Sequence, residues 1–229
     1  MSEHLPPPDA ARFPELEEDP RWVREVPPRT AVARIFRASG LHSGEWHAFR
    51  TFGPLDGRFD PHPEPVGEHT DASVLYGVLE SSETLGREAG GGGADGSFAA
   101  ALLEVFQSTR MIRTGVGAPT LAVFETRRPL RLLDLSDSDW ITVAGGNAAI
   151  SSGGRAAARA WARAIAQRYP SLDGVVSASS LVPTARVVAL WKPAENALPQ
   201  HPSALIRLDR PEMAGVIDRI ADRYGYAVL

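Results

Sequence analysis

The residue with the strongest chemical potential is Glu104, in the run LeuLeuGluValPheGln at 102–107. A carboxylate beside a sugar can hydrogen-bond ribose hydroxyls and stabilise an oxocarbenium-like transition state, each charged hydrogen bond contributing about 1.5–3 kcal/mol. Arg34 lies inside the apolar run ValAlaArgIlePheArg at 32–37, where a cation is unwelcome unless it meets solvent or an anion. Its planar guanidinium suits a pyrophosphate bidentately, with Arg37 in reserve if Arg34 points away. Arg58, in GlyArgPheAsp at 57–60, can hold a second phosphate or a ribose group. Tyr76, closing ValLeuTyr at 74–76, offers a ring for stacking or a hydroxyl. Ser179 and Ser180 end AspGlyValValSerAlaSerSer at 173–180, where hydroxyls can bind phosphate or ribose. Each residue also has an ordinary reading: a solvated helix glutamate, salt-bridged arginines, a core tyrosine, serines bonding their own loop. It is their order along the chain that points to one polar pocket.

The elements that must position these residues are legible in outline. β-branched and aromatic residues predict strands at 32–36, 74–78, 120–124, 130–134, 174–177, 187–191 and 204–208, and a terminal one at 226–228. Ser97 is expected to cap a helix running to about Ser108 with Leu102, Leu103 and Phe106 on its apolar stripe and Glu104 off it. A second helix spans about 154–168 with Ala158, Trp161, Ala162 and Ile165 on one face, ended by Tyr169-Pro170. Asp209 is expected to cap a third at 211–223. Strands and helices mix without regular alternation, so the expected class is α+β with a mixed, mainly antiparallel sheet. Residues 1–28, with ProProPro at 6–8 and an acidic run at 15–19, read as an extended arm before a single domain at 29–229. The Gly-, Pro- and His-rich stretch 40–71 reads as a binding loop, and 86–96 as a flexible glycine-rich insertion.

Composition narrows the classes. In 229 residues, 43% are hydrophobic, enough for a sizeable core, and the net charge of -4 offers nucleic acid no global attraction. The chain has no cysteine, which removes disulfides, thiolate metal sites and a cysteine nucleophile. No apolar run approaches the roughly 20 residues that span a bilayer, and the amino terminus lacks secretory character, so a cytoplasmic protein without direct nucleic-acid or membrane contact is expected. His62 and His69 flank a proline-rich loop without a partner at a recognised metal spacing, so no metal is expected. Ser151-Ser152-Gly153-Gly154 before a helix can bind an anion on backbone amides, though ordinary capping is the commoner outcome. There is no nucleophile elbow, P-loop lysine motif or dinucleotide glycine fingerprint.

From about Val32 to Leu190 the ordered segments resemble the RES-domain family, named for its arginine, glutamate and serine, whose members are toxins of toxin–antitoxin pairs that degrade NAD. The most specific stretches are GlyProLeuAspGlyArgPheAsp at 53–60 and the motifs at 102–107 and 173–180. The resemblance implies an ADP-ribosyltransferase-like fold with NAD in a cleft and its nicotinamide–ribose bond cleaved. It implies that Arg34 and Arg58 hold the pyrophosphate, Tyr76 packs near the nicotinamide, Glu104 stabilises the ribosyl cation, and Ser179 with Ser180 completes the site. Water or inorganic phosphate as co-substrate would capture the ribosyl carbon, making the enzyme a glycohydrolase or a phosphorylase with no resident cofactor. A helix-turn-helix, Xre-type antitoxin is the implied partner. Glu88 competes with Glu104 on spacing, and Glu104 is preferred because its surrounding run fits the motif. Ala33 and Ser177 stand where relatives often carry aromatic residues. Two rival readings are an ADP-ribosyltransferase acting on a macromolecule and an inactive NAD-binding module.

Overall fold

The computed structural model describes residues 4–41, 43–80 and 94–229. In chain order the elements are β1 (Val23–Val26), β2 (Ala31–Arg37), β3 (Phe52–Gly53), β4 (Gly67–Glu68), β5 (Val74–Leu79), α1 (Ala94–Phe106), β6 (Met111–Ile112), β7 (Pro119–Glu125) and β8 (Leu130–Asp134). They are followed by α2 (Trp140–Val143), α3 (Ala149–Ser152), α4 (Arg155–Arg168), β9 (Gly174–Ala178), β10 (Arg186–Trp191), β11 (Ala204–Arg207), α5 (Pro211–Tyr224) and β12 (Ala227–Val228). The central sheet has eight strands in the order β1-β8-β9-β10-β5-β2-β7-β11. All neighbours in it are antiparallel except β8 and β9. The protein is therefore α+β with a mixed, mainly antiparallel sheet, as expected.

Alternation along the strands divides the core. On β10, Val188 and Leu190 pack with Leu75, Val176, Phe124 and Trp46, whereas Ala189 and Trp191 join the cluster that contains α4. Helix α4 buries Ala158, Trp161, Ala162 and Ile165, the face its spacing predicts. Helices α1 and α5 share a further cluster in which Leu102, Leu103 and Phe106 meet Ile217 and Ile220, with Ala33 and Ile35 of β2 beneath them. The parallel β8–β9 pair demands a crossover, and the connection from 135 to 173 supplies it with α2, α3 and α4. At the start of β9, Gly174 has φ +146°, and a Cβ there would lie 2.0 Å from the Ala189 carbonyl oxygen, so no other residue fits.

Three local expectations need correction. The amino-terminal segment is packed: Leu5, Phe13, Leu16 and Trp22 are buried in the α4 cluster, and β1 pairs with β8 at the sheet edge. Its prolines and acids set the surface character, but one apolar residue per turn suffices to anchor it. Ser97 lies inside α1, which begins at Ala94, and its hydroxyl donates to Glu80 at 2.9 Å. Asp209 does not cap α5, because Arg210 takes that position ahead of Pro211 and Asp209 pairs with Arg207 instead. Of the glycine-rich stretch 86–96, residues 94–96 open α1 and the remainder, with Glu88, lies outside the described residues.

Candidate functional site

Strand β2 is in register with β5 only at Val32–Leu79 and Ala33–Val78, while the start of β5 is bridged by Arg50 to Val74. Where the strands part lies a cavity of about 320 Å³. Five of the six residues singled out from the sequence line it: Arg34, Arg58, Tyr76, Glu104 and Ser180. The sixth, Ser179, is 3% exposed and reaches the cavity through Glu104. Ala33 and Ser177 also line the wall.

Glu104 sits in the last turn of α1, where a carboxylate faces the negative end of the helix dipole, a placement that costs about 0.3–1 kcal/mol and that stability alone would not select. Its Oε1 accepts from the Ser179 hydroxyl at 2.8 Å and its Oε2 from Gln107 Nε2 at 3.1 Å. The Ser179 oxygen itself accepts from the Leu181 and Val182 amides, at 3.2 and 3.1 Å, which reserves its proton for Glu104. Both carboxylate oxygens are thus oriented by neutral donors, and among the described residues no salt bridge neutralises the charge. Ser179 is a positioning residue, and Ser180 supplies the exposed hydroxyl on the wall.

Arg58 donates Nη1 to the carbonyls of Gly153 at 2.7 Å and Ile150 at 3.5 Å, which ties the 54–60 loop to the turn before α4. Burial lowers its pKa, and the neighbouring Arg155 lowers it further against the pull of Glu104. Arg34 gives Nη1 to the Trp46 carbonyl at 2.8 Å and the Ala48 carbonyl at 3.4 Å, while its buried Nε has no partner. Burial without a counter-ion brings its pKa down to about 10. Arg34 therefore braces the 46–48 segment as well as bordering the cavity. Arg37, its reserve, points to the Val116 carbonyl and is not on the cavity wall.

Tyr76 accepts from the Phe59 amide at 3.1 Å, and burial first, then Asp60, pushes its phenol well above the usual value, so it stays protonated. The closeness of Gly57 explains the glycine of that motif: a Cβ would sit 2.5 Å from the tyrosine oxygen. Behind the loop, Asp60 and His62 are both fully buried. Asp60 pairs with Arg50 at 2.7 Å, accepts from the Leu55 amide at 2.9 Å, and contacts His62 Nδ1. Burial works to raise the Asp60 pKa, but the bonds from His62, Leu55 and Arg50 outweigh it and hold the carboxyl well below the ordinary range. Trp191 Nε1 closes the brace on the Phe59 carbonyl at 3.1 Å. The Asp60 and His62 side chains hold the loop that presents Arg58.

The sequence reading missed Arg155, Asp56 and Gln107 as site residues, all on the cavity wall, where Ser151 of the turn weighed as an anion site also lies. A signal for the first was available, since Arg155, Arg159 and Arg163 recur every fourth residue on an otherwise alanine-rich helix. Among the described residues no group of three His, Asp or Glu side chains gathers as metal ligands, and no helix is long and apolar enough to cross a membrane. The cavity combines guanidiniums with an oriented carboxylate, an arrangement suited to an anionic ligand with a centre that gains positive charge during reaction.

No family model matches the chain, and no curated protein does. Among solved structures the chain is similar to one described as the crystal structure of the M. tuberculosis MbcT-MbcA toxin-antitoxin complex, at 16% identity and a TM-score of 0.48 over 93% of this chain and 96% of that one.

Proposed function

We propose that the protein is a RES-type toxin that cleaves the nicotinamide–ribose bond of NAD. The observation that carries this reading is the Glu104 carboxylate, oriented by Ser179 and Gln107 on the wall of a cavity that Arg58, Arg34, Tyr76 and Ser180 also line. Arg58 and Arg34 hold the phosphates, the Tyr76 ring borders the nicotinamide, and Glu104 stabilises the positive charge that develops on the ribose as neutral nicotinamide departs. The nicotinamide is cationic while bound to ribose and leaves without needing a proton. The protein's contribution is therefore orientation and electrostatics, without a resident cofactor. Water or inorganic phosphate then captures the ribosyl carbon. Unchecked consumption of NAD would be toxic, so a partner that covers the cavity belongs to the same proposal, with an Xre-type antitoxin as its expected kind and the cytoplasm as its expected place.

The test is nicotinamide release from NAD by the purified full chain, with and without phosphate, beside Glu104→Gln. The variant keeps the side chain's size and should lose about a hundredfold or more in kcat. A folded native protein, free of any partner, that releases no nicotinamide would overturn the reading.

A further inference from the structure

At the cavity two guanidiniums share one carboxylate, that of Asp56. Arg155 Nη1 contacts Asp56 Oδ2, and lies 3.3 Å from the Asp56 carbonyl oxygen. Arg159 Nη1 lies 3.7 Å from Asp56 Oδ1, beyond hydrogen-bond reach, and is buried with no hydrogen-bond partner. Arg58 shares the cavity wall with Arg155, its charge disfavoured by burial and then by Arg155, while Arg159 lies off the wall. The third member of the helix stripe, Arg163, has its own acid, Glu64 at 3.6 Å, so the imbalance is confined to the cavity end. Asp56 is a poor match for this cluster. Its side chain is 76% exposed, whereas those of Arg155 and Arg159 are 31% and 20% exposed. Glu104, the other carboxylate facing the cluster, is already engaged with Ser179 and Gln107.

A phosphate group supplies what this arrangement lacks: up to two negative charges, and acceptors that suit the planar fork of several arginines at once. An exposed ion pair such as that of Asp56 is weakly held and readily displaced. We infer that Arg155, with Arg58 and Arg159, forms a phosphate-group subsite at the cavity, and that Asp56 is its internal placeholder, displaced when the phosphate group enters. Ser151, on the same stretch of wall, borders this subsite. The inference rests on the proposed function for which phosphate matters, either one of the dinucleotide's own or the inorganic ion that accepts the ribosyl group. Binding itself requires no turnover.

Titration calorimetry of the full chain with inorganic phosphate, and separately with ADP-ribose, tests it on native protein, Asp56→Asn, Arg155→Gln and Arg163→Gln, each checked by thermal unfolding. Removing the placeholder's charge should tighten phosphate about twofold to fivefold. Arg155→Gln should weaken it about tenfold or more, and Arg163→Gln should match native. Native protein that takes up no phosphate, or Asp56→Asn and Arg155→Gln both binding as native does, would overturn the subsite. If saturating ADP-ribose excludes inorganic phosphate, the subsite serves the dinucleotide. If both bind together, it serves the acceptor. Either result supports the subsite. Nicotinamide release on the same samples separates the two ideas: the binding pattern without release retains the subsite and defeats the function, whereas release with phosphate affinity untouched by Arg155→Gln does the reverse.

Discussion

Ser179→Ala removes one oxygen, and its consequences can be worked from three distances. The hydroxyl donates to Glu104 at 2.8 Å and accepts from two amides at 3.2 and 3.1 Å. A hydrogen bond to a charged acceptor contributes about 1.5–3 kcal/mol. If the chain releases nicotinamide as proposed and that energy holds the carboxylate in its productive orientation, its loss lowers kcat for release roughly tenfold to a hundredfold, since about 1.36 kcal/mol is one decade. KM should change little, because Ser179 is buried and has no surface on the cavity wall. Two amides lose their acceptor as well, so stability should fall by about 2 kcal/mol, or roughly 4–8 °C in Tm for a domain of this size. A merely structural serine would give the Tm loss without the kcat loss. Ser179→Thr, which keeps the hydroxyl, should recover most of kcat. The measurement is steady-state release at saturating NAD beside calorimetric unfolding, and a folded Ser179→Ala with kcat within about threefold of native would refute the argument.

Gly174→Ala should destabilise by about 3 kcal/mol or more, seen as a collapse of soluble yield or Tm, because the new methyl collides with the Ala189 backbone. Phe13→Ala removes a ring centred 5.4 Å from Trp161 and 5.1 Å from Trp140, and should cost about 3–5 kcal/mol in denaturant unfolding. The depressed Asp60 pKa means the folded state binds fewer protons at this carboxyl than the unfolded one. Its stabilising contribution is therefore complete above the ordinary carboxylate pKa of about 4 and is lost as pH falls below it. Asp60→Asn should be less stable than native near neutral pH, and the gap should narrow in unfolding curves taken at progressively lower pH.

Local chemistry explains which parts of this molecule could be read without coordinates. The stripe Ala158, Trp161, Ala162 and Ile165 was visible because a two-sided helix repeats its apolar residues at a fixed interval, and α4 buries those four. Gly57 and Gly174 were recognisable as parts of motifs, but their cause was hidden, since the collisions that exclude a side chain come from Tyr76 and Ala189, distant in sequence. Glu104, Arg58 and Tyr76 were found as types, yet their convergence depends on β2 leaving β5 after two register pairs. The Asp60, His62 and Arg50 brace was illegible because a His and an Asp in a proline-rich loop resemble solvated turn residues until burial is known. The arm was misjudged for a related reason: Leu5, Phe13 and Leu16 are sparse among polar residues, and their value comes from the aromatic floor they cover.

The β5–β10 register, which sets Tyr76 opposite Ala189, also bears on synthesis. The carboxylate on α1 and the arginine on the 54–60 loop leave the ribosome well before β9 and β10, whose segments supply Ser179, Ser180 and the Trp191 brace. Long-range strand pairing of this kind forms late and slowly. A nascent chain halted before residue 190 would carry Glu104 and Arg58 without the pairing that frames them. Any activity seated in this cavity therefore waits until the chain has been made through β10, a built-in delay between the appearance of Glu104 and Arg58 and the frame that makes them usable.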